Sequence, residues 1–348
     1  MKTIRTILLL TLSLQLLFTS CAKRGGSFLP TASGAPFELL VVVNKEMWKR
    51  NAGEAIRDVL ESDVPGLPQS EPNFKLSVVD PTHFDNLLRP VRNVLIVEVS
   101  DIYSKGSTSY ARDVYSADQV IMTVKAGNEQ QLAEYLRENQ SNIVRFFVNS
   151  ELNRNINFFS KKFNTALLNG VRENFYQAEV KAPGDLKNEK IGKDFIWVTN
   201  DAAKGRMDLV IYSVPYHNIN DFSEERLIAV RDSVMKENIK GSKESMYMQT
   251  EVKYAPVLCD TIGVNGKFTV RLRGLWQMQG DMMGGPFVSH TRLDEKNQRI
   301  VTIEGFVFAP EMPKRNLLRR VEAMLYTLRF SDEINSNLEL NISSSESK

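Results

Sequence analysis

The period of hydrophobic positions changes several times along the chain, and each change marks an element. Phe37-Glu-Leu-Leu-Val-Val-Val43 is a nearly unbroken apolar run of the kind that forms a strand covered on both faces. Asn44 then stands at a helix-cap position before Trp48, Ala52, Ala55, Ile56, Val59 and Leu60, which share one helical face. A Pro-rich turn from Pro65 to Pro72 ends that helix. Further apolar runs predict strands at Phe74–Val79, Val91–Val99 and Gln119–Val124, with a helical turn near Phe84–Leu88. From Glu129 to Gln177 the period is helical, with a break expected at Asn149–Asn157, where Asn and Ser crowd together.

The second half restarts with strands at Phe195–Thr199 and Asp208–Val214. Ser223 caps a helix through Leu227, Ile228, Val234, Met235 and Ile239, closed by Gly241. Strands near Tyr247–Tyr254 and Val257–Ile262 precede Asn265-Gly266, a strong hairpin signal leading into Lys267–Met278. Phe287–Leu293 and Ile300–Phe308 flank a further turn. Pro313 opens a last helix whose buried stripe is Leu317, Leu318, Val321, Leu325 and Leu328. The fold class is therefore α+β: two lobes of mostly antiparallel sheet packed with helices, at 37–180 and 181–330. Residues 331–348 form a polar tail.

Ahead of the first strand the chain carries an address. Lys2 and Arg5 precede the apolar stretch Ile7–Phe18, and Thr19-Ser20-Cys21 follows directly. This is the layout of a cleaved secretory signal, too short for a spanning helix. Small residues before Cys21 suit a lipoprotein signal peptidase, so residues 1–20 are expected to leave and Cys21 to carry the lipid. Residues 21–36, rich in Gly, Ser, Ala and Pro, then serve as a flexible tether. No Asp and no acidic run follows Cys21. By analogy with lipoprotein sorting rules, that places the body in the periplasm, on the outer membrane.

Removing residues 1–20 takes away two basic and no acidic residues, leaving 42 of each sign. A neutral body lacks the clustered basic excess that phosphate backbones demand, so nucleic acid is not an expected partner. With Cys21 acylated, Cys259 has no intramolecular partner, and its apolar surroundings in Ala255–Asp260 predict a buried structural thiol.

Candidate chemistry is sparse. His83, His217 and His290 share no helix turn and no metal-ligand spacing. Asp260, Asp281 and Glu304 cannot be paired from sequence, and no nucleophile elbow is present. Neither catalytic residues, a metal site nor a cofactor is expected. Met246, Met248, Met278, Met282 and Met283 are soft ligands suited to Cu(I), but without adjacent His or Cys they suit an irregular core better. Phe146, Phe147, Phe158, Phe159, Phe163 and Phe175 are expected to cover a sheet, a lipid groove being the alternative. Lys314 and Arg315 open the last helix against its dipole; a solvated basic end is expected, contact with anionic headgroups the alternative.

The densest unusual run is Arg271-Leu-Arg-Gly-Leu-Trp-Gln-Met-Gln-Gly-Asp-Met-Met-Gly-Gly-Pro-Phe287. Gly280, Gly284, Gly285 and Pro286 do not match a phosphate-cradling loop and point to positive φ or close chain approach. The run is expected to join two strands. Its sharper reading is a partner-binding loop made of Trp276, Gly280, Asp281, Met282, Met283, Gly284, Gly285, Pro286 and Phe287. Together with Gly305-Phe-Val-Phe-Ala-Pro310 and Lys314–Ala323, the run resembles the domain of unknown function family 4837 of Bacteroidota lipoproteins, over essentially the whole chain. The resemblance implies localisation and architecture, and no activity. The closing half also loosely resembles a Mog1/PsbP-like arrangement.

The expected function is thus a non-catalytic role in envelope assembly or maintenance, exercised by an outer-membrane lipoprotein through an envelope protein or lipid partner. The alternatives are an envelope hydrolase and a periplasmic lipid-binding carrier. The anchor has a direct test: Cys21→Ser should move the protein from the membrane fraction to the soluble periplasm, or block its processing. Unchanged membrane association with a lipid-free mature N-terminus would refute it.

Overall fold

The computed structural model describes residues 29–334; the signal segment with Cys21, and residues 335–348 of the polar tail, lie outside the described residues. Strand β1 (Glu38–Val42) occupies the apolar run and is covered on both faces. Phe37, Leu39, Val41 and Val43 enter the main core, while Leu40 and Val42 pack with Val94 and Ile121 on the other side. Asn44 caps the short helix α1 (Lys45–Trp48) by accepting from the N–H groups of Glu46 and Met47, and α2 (Asn51–Leu60) follows.

Strands β2 (Lys75–Val79), β3 (Asn93–Val99), β4 (Ser107–Arg112) and β5 (Val120–Ala126) complete a five-stranded sheet in the order β2-β1-β3-β5-β4. Here β1 is parallel to β2 and to β3, and β3 is parallel to β5; only β4 is antiparallel to its neighbour. Crossover connections through helices set that direction, which strand patterning alone does not encode. The double-sided apolarity of β1 is its one visible trace. Helices α3 (Glu129–Glu138), α4 (Gln140–Lys161) and α5 (Thr165–Asn174) lead on to the second lobe.

That lobe is an eight-stranded antiparallel sheet. Its strands are β6 (Lys187–Gly192), β7 (Phe195–Thr199), β8 (Arg206–Pro215), β9 (Tyr247–Glu251), β10 (Leu258–Val264), β11 (Lys267–Gln279), β12 (Gly284–Asp294) and β13 (Arg299–Phe308). The order is β10-β11-β12-β13-β8-β7-β6, with β9 paired to the far end of long β11. Helix α6 (Glu224–Asn238) covers one face and α7 (Arg315–Leu325) the other. Along β13 the alternation is plain: Val301, Ile303 and Val307 enter the main core, Ile300 and Phe306 the core beneath α6. Gly305 admits α7 closely, since a Cβ there would lie 2.6 Å from Val321 Cβ. The main core is continuous from β1 to α7, so the two lobes share it. The class is α+β and, over both sheets together, pairing is mostly antiparallel.

Four expectations need correction. The break at Asn149–Asn157 does not occur; α4 runs through it because its polar groups have partners. Ser150 Oγ donates to Phe146 O at 2.8 Å, and buried Glu151 accepts from Asn93 and Arg154, each at 2.7 Å. The tether is docked at its end, with Ser33 N–H donating to Pro90 O at 2.9 Å. The tail begins with an ordered turn, Ser331–Ile334, whose Glu333 carboxylate is held by both guanidinium nitrogens of Arg292. Finally, β4 and β6 escape hydrophobic patterning because they are polar edge strands.

Beneath α6, Arg231 donates from Nε to Glu304 Oε2 at 2.9 Å, both side chains fully buried, with its guanidinium 4.0 Å over the Phe287 ring. Removing one partner of such a pair strands a buried charge. Glu304→Ala should therefore cost roughly 3–5 kcal/mol, measured by urea unfolding, and Arg231→Met combined with Glu304→Leu should recover most of it. A loss below about 1 kcal/mol in the single variant, the level of a surface pair, would refute the account.

Candidate functional site

The lobes meet around a cavity of about 590 Å³. Its walls come from the connection after α2, from the first half of α4, from the β10–β11 pair and from α7. One wall is apolar: Val144, Val148 and Leu152 recur every four residues along α4 and so share a helical face. The facing wall is charged. Arg271 and Arg273 lie two apart on β11 and point to the same side of the sheet, while Arg319 and Glu322, three apart on α7, are helical neighbours.

These side chains converge on Glu322, which is fully buried. Arg273 donates to both of its oxygens, Arg319 donates to it at 3.0 Å, and Arg271 stands 3.7 Å away. Arg319 also donates to Asn73 Oδ1 of the first lobe at 3.1 Å, and Arg271 Nε donates to Asp260 Oδ1 at 2.9 Å. Burial opposes the charge on Glu322, but Arg273, Arg319 and Arg271 together outweigh it and hold the carboxyl well below the usual range. Burial pulls Arg319 downward, and Glu322 only partly restores it. Arg145, on α4, also lines the cavity; it donates to Asn142 Oδ1 at 2.6 Å and has no carboxylate partner among the described residues.

The residues singled out from sequence are dispersed. In the Gly280–Phe287 run, Gly280 takes φ +83 and Asp281 Oδ1 caps Met282 N–H at 2.6 Å, forming a tight turn. Met282 projects fully into solvent, whereas Met283 packs against the core beneath α6. Gly284, Gly285, Pro286 and Phe287 belong to β12. Trp276 is buried, its Nε1–H donating to Val307 O at 3.2 Å, and Phe287 is buried under Arg231. The run is therefore mostly packing, with Gly280, Asp281 and Met282 its exposed residues. Gly285 is required because a Cβ there would sit 2.0 Å from Val307 O.

His83 and His217 are exposed, and His290 is fully buried against Tyr326, both ring nitrogens without a hydrogen-bond partner among the described residues. Burial, reinforced by Arg271, pushes His290 well below its ordinary value, so it stays neutral. Asp260 and Glu304 each answer a different arginine, and Asp281 a backbone N–H. Cys259 is exposed, contrary to expectation, because β10 is an edge strand. Partial burial, then Glu224 and Asp260, raises its pKa, which keeps the thiol protonated at neutral pH. Met248 and Met278 are core residues, and no group of His, Cys, Asp or Glu among the described residues could hold a metal. None of the six Phe of the helical region lines the cavity. Lys314 and Arg315 are drawn into the lobe interface instead of solvent: the Glu71 carboxylate accepts both their backbone N–H groups, at 2.7 and 2.9 Å, and so sets a negative charge against the positive N-terminal end of α7.

Sequence reading missed the cavity arginines. Part of the signal was present: Glu322 borders the apolar stripe of α7, one turn from both Leu318 and Leu325, and a charged residue at the edge of a core-facing stripe calls for a partner. Fold and site together define a two-lobed α+β protein with an arginine-lined cavity between the lobes. Residues 166–327 match the family described as Domain of unknown function (DUF4837), and residues 32–160 match a second, Domain of unknown function (DUF8532). The resemblance read from the sequence thus lies in the second half, and the first half matches a different family. No curated protein matches the chain. Among solved structures, the Ran-binding protein Mog1p of Saccharomyces cerevisiae shares 9% identity over 44% of this chain and 89% of its own, at a TM-score of 0.31. A protein of Bacteroides thetaiotaomicron VPI-5482 shares 11% identity over 45% and 46%, at a TM-score of 0.24. Likenesses of that size carry no argument.

Glu322 makes stability pH-dependent in a fixed direction. Its folded pKa lies below the unfolded value of about 4.3, so its contribution is complete above that pH and is lost as pH falls. Glu322→Gln should cost roughly 3–5 kcal/mol at pH 7, and the gap to the parent should narrow below about pH 4. Denaturant melts at several pH values check this; a gap constant down to pH 2 would refute it.

Proposed function

We propose that the chain is a lipid-anchored envelope protein, facing the periplasm from the outer membrane, that acts by binding a partner and not by catalysis. The lipoprotein-type signal ending in Cys21 supports the anchor. The observation that carries the binding role is the cavity between the lobes. Arg271, Arg273 and Arg319 are already fixed by Glu322, Asp260 and Asn73, so a partner's polar group meets side chains that need little further ordering. Its volume falls in the range of ordinary ligand sites. Among the described residues no helix is long and apolar enough to cross a membrane, so attachment falls to the N-terminal lipid in this reading.

A photocrosslinking residue placed at Ser141, on the exposed rim of the cavity, tests the role in the native envelope. A discrete adduct should form there, be absent from the same residue at Lys49, and disappear when Arg145→Glu is added. Equal labelling at both positions, or an adduct indifferent to Arg145→Glu, would overturn the proposal.

A further inference from the structure

We infer that the cavity takes an anionic amphiphile, one phosphodiester-type headgroup against the arginines and an apolar body along α4. This rests on the binding role proposed above and names the ligand's chemistry. The first observation is charge. Arg145, Arg271, Arg273 and Arg319 line the cavity with Asp63, Asp260 and Glu322, leaving one positive charge uncompensated. The second is an open donor: Arg319 Nε is buried with no hydrogen-bond partner among the described residues. A buried donor left so costs free energy that an oxyanion would recover. The third is Arg145, which lines the same cavity as the Glu322 cluster and has no carboxylate beside it among the described residues.

Backbone adds to this. Gln140 and Ser141, in the first turn of α4, line the cavity, and the helix cap Asn139 makes no side-chain hydrogen bond to that turn. An oxyanion there lies at the N-terminal, positive end of a 22-residue helix, although the C-terminus of α3 meets the same turn at Asn139. A bare ion would fill only a corner of about 590 Å³. On the α4 side the half-buried Val144, with Ile262 on β10, offers apolar surface over the packed Val148 and Leu152, and such surface gains from contact with an alkyl body and not from water. Two sources share this chemistry, the head of a membrane phospholipid and a free amphiphile of the periplasm.

Calorimetry on the full lipidated chain in phosphatidylcholine nanodiscs tests the inference with monomeric dihexanoyl phosphatidylglycerol. One equivalent should bind. Dihexanoyl phosphatidylcholine and glycerol phosphate should each bind at least about tenfold more weakly, since one lacks the net charge and the other the apolar body. Arg145→Glu should weaken binding by about tenfold or more, Arg145→Gln by less, and Arg145→Lys least, with melting temperatures unchanged. Arg145 is half-exposed and unpaired by acid, so these variants should fold, and the Gln and Lys forms serve if the Glu form does not. Liposomes of long-chain phosphatidylglycerol separate the sources: displacement of the short-chain lipid supports a membrane headgroup, and none supports a free amphiphile. Equal binding of the two dihexanoyl lipids, tight binding of glycerol phosphate alone, or indifference to Arg145 would each overturn the inference. Failed calorimetry with a specific Ser141 adduct would remove the ligand class and keep the binding role; the converse result would remove the envelope role alone.

Discussion

Three guanidinium groups from two elements close on the single buried carboxylate of Glu322, and much of the molecule is arranged around that convergence. A carboxylate in the interior is costly unless paired and fully hydrogen-bonded. Arg273 and Arg319 supply that pairing, and Arg319 extends it to Asn73 in the first lobe. The same contact thus ties α7 to β11 and joins the lobes. The cavity lining as a whole still carries more positive than negative charge, which is the property the proposed ligand would meet.

The rest of the lobe interface shows the same division of labour. Apolar packing from β1 to α7 provides one continuous core, and polar contacts fix its alignment. Glu71 caps α7 from the first lobe, and within that lobe Glu151 likewise gathers Asn93 and Arg154, joining α4 to β3. Hydrophobic burial is non-directional, so it holds the lobes together without choosing their relative position. Charge-assisted hydrogen bonds have fixed geometry and do choose it.

The Gly- and Met-rich run illustrates how a conspicuous motif can serve packing. Gly285 is glycine because Val307 O occupies the space of its Cβ, and Trp276 reaches the same carbonyl through its indole N–H. Phe287 lies under Arg231, whose pairing with Glu304 closes the core beneath α6. A sequence run with several Gly and large apolar groups signals tight approach as readily as display, and only the neighbouring strand distinguishes the two.

By itself the sequence determined the apolar part of the element list, because burial imposes periods of 2 and 3.6 on apolar positions. It placed β1, the Asn44 and Ser223 caps, the Asn265-Gly266 hairpin and the stripe of α7. It did not reveal polar edge strands β4 and β6, since strands with solvent at one side need no apolar signature. Nor did it give the parallel order of the first sheet, which depends on how crossovers pack. The cavity was decided by tertiary structure alone. Asn73, Arg145, Arg273 and Glu322 are far apart along the chain, and pairing between charges depends on distance in space, which no local pattern records.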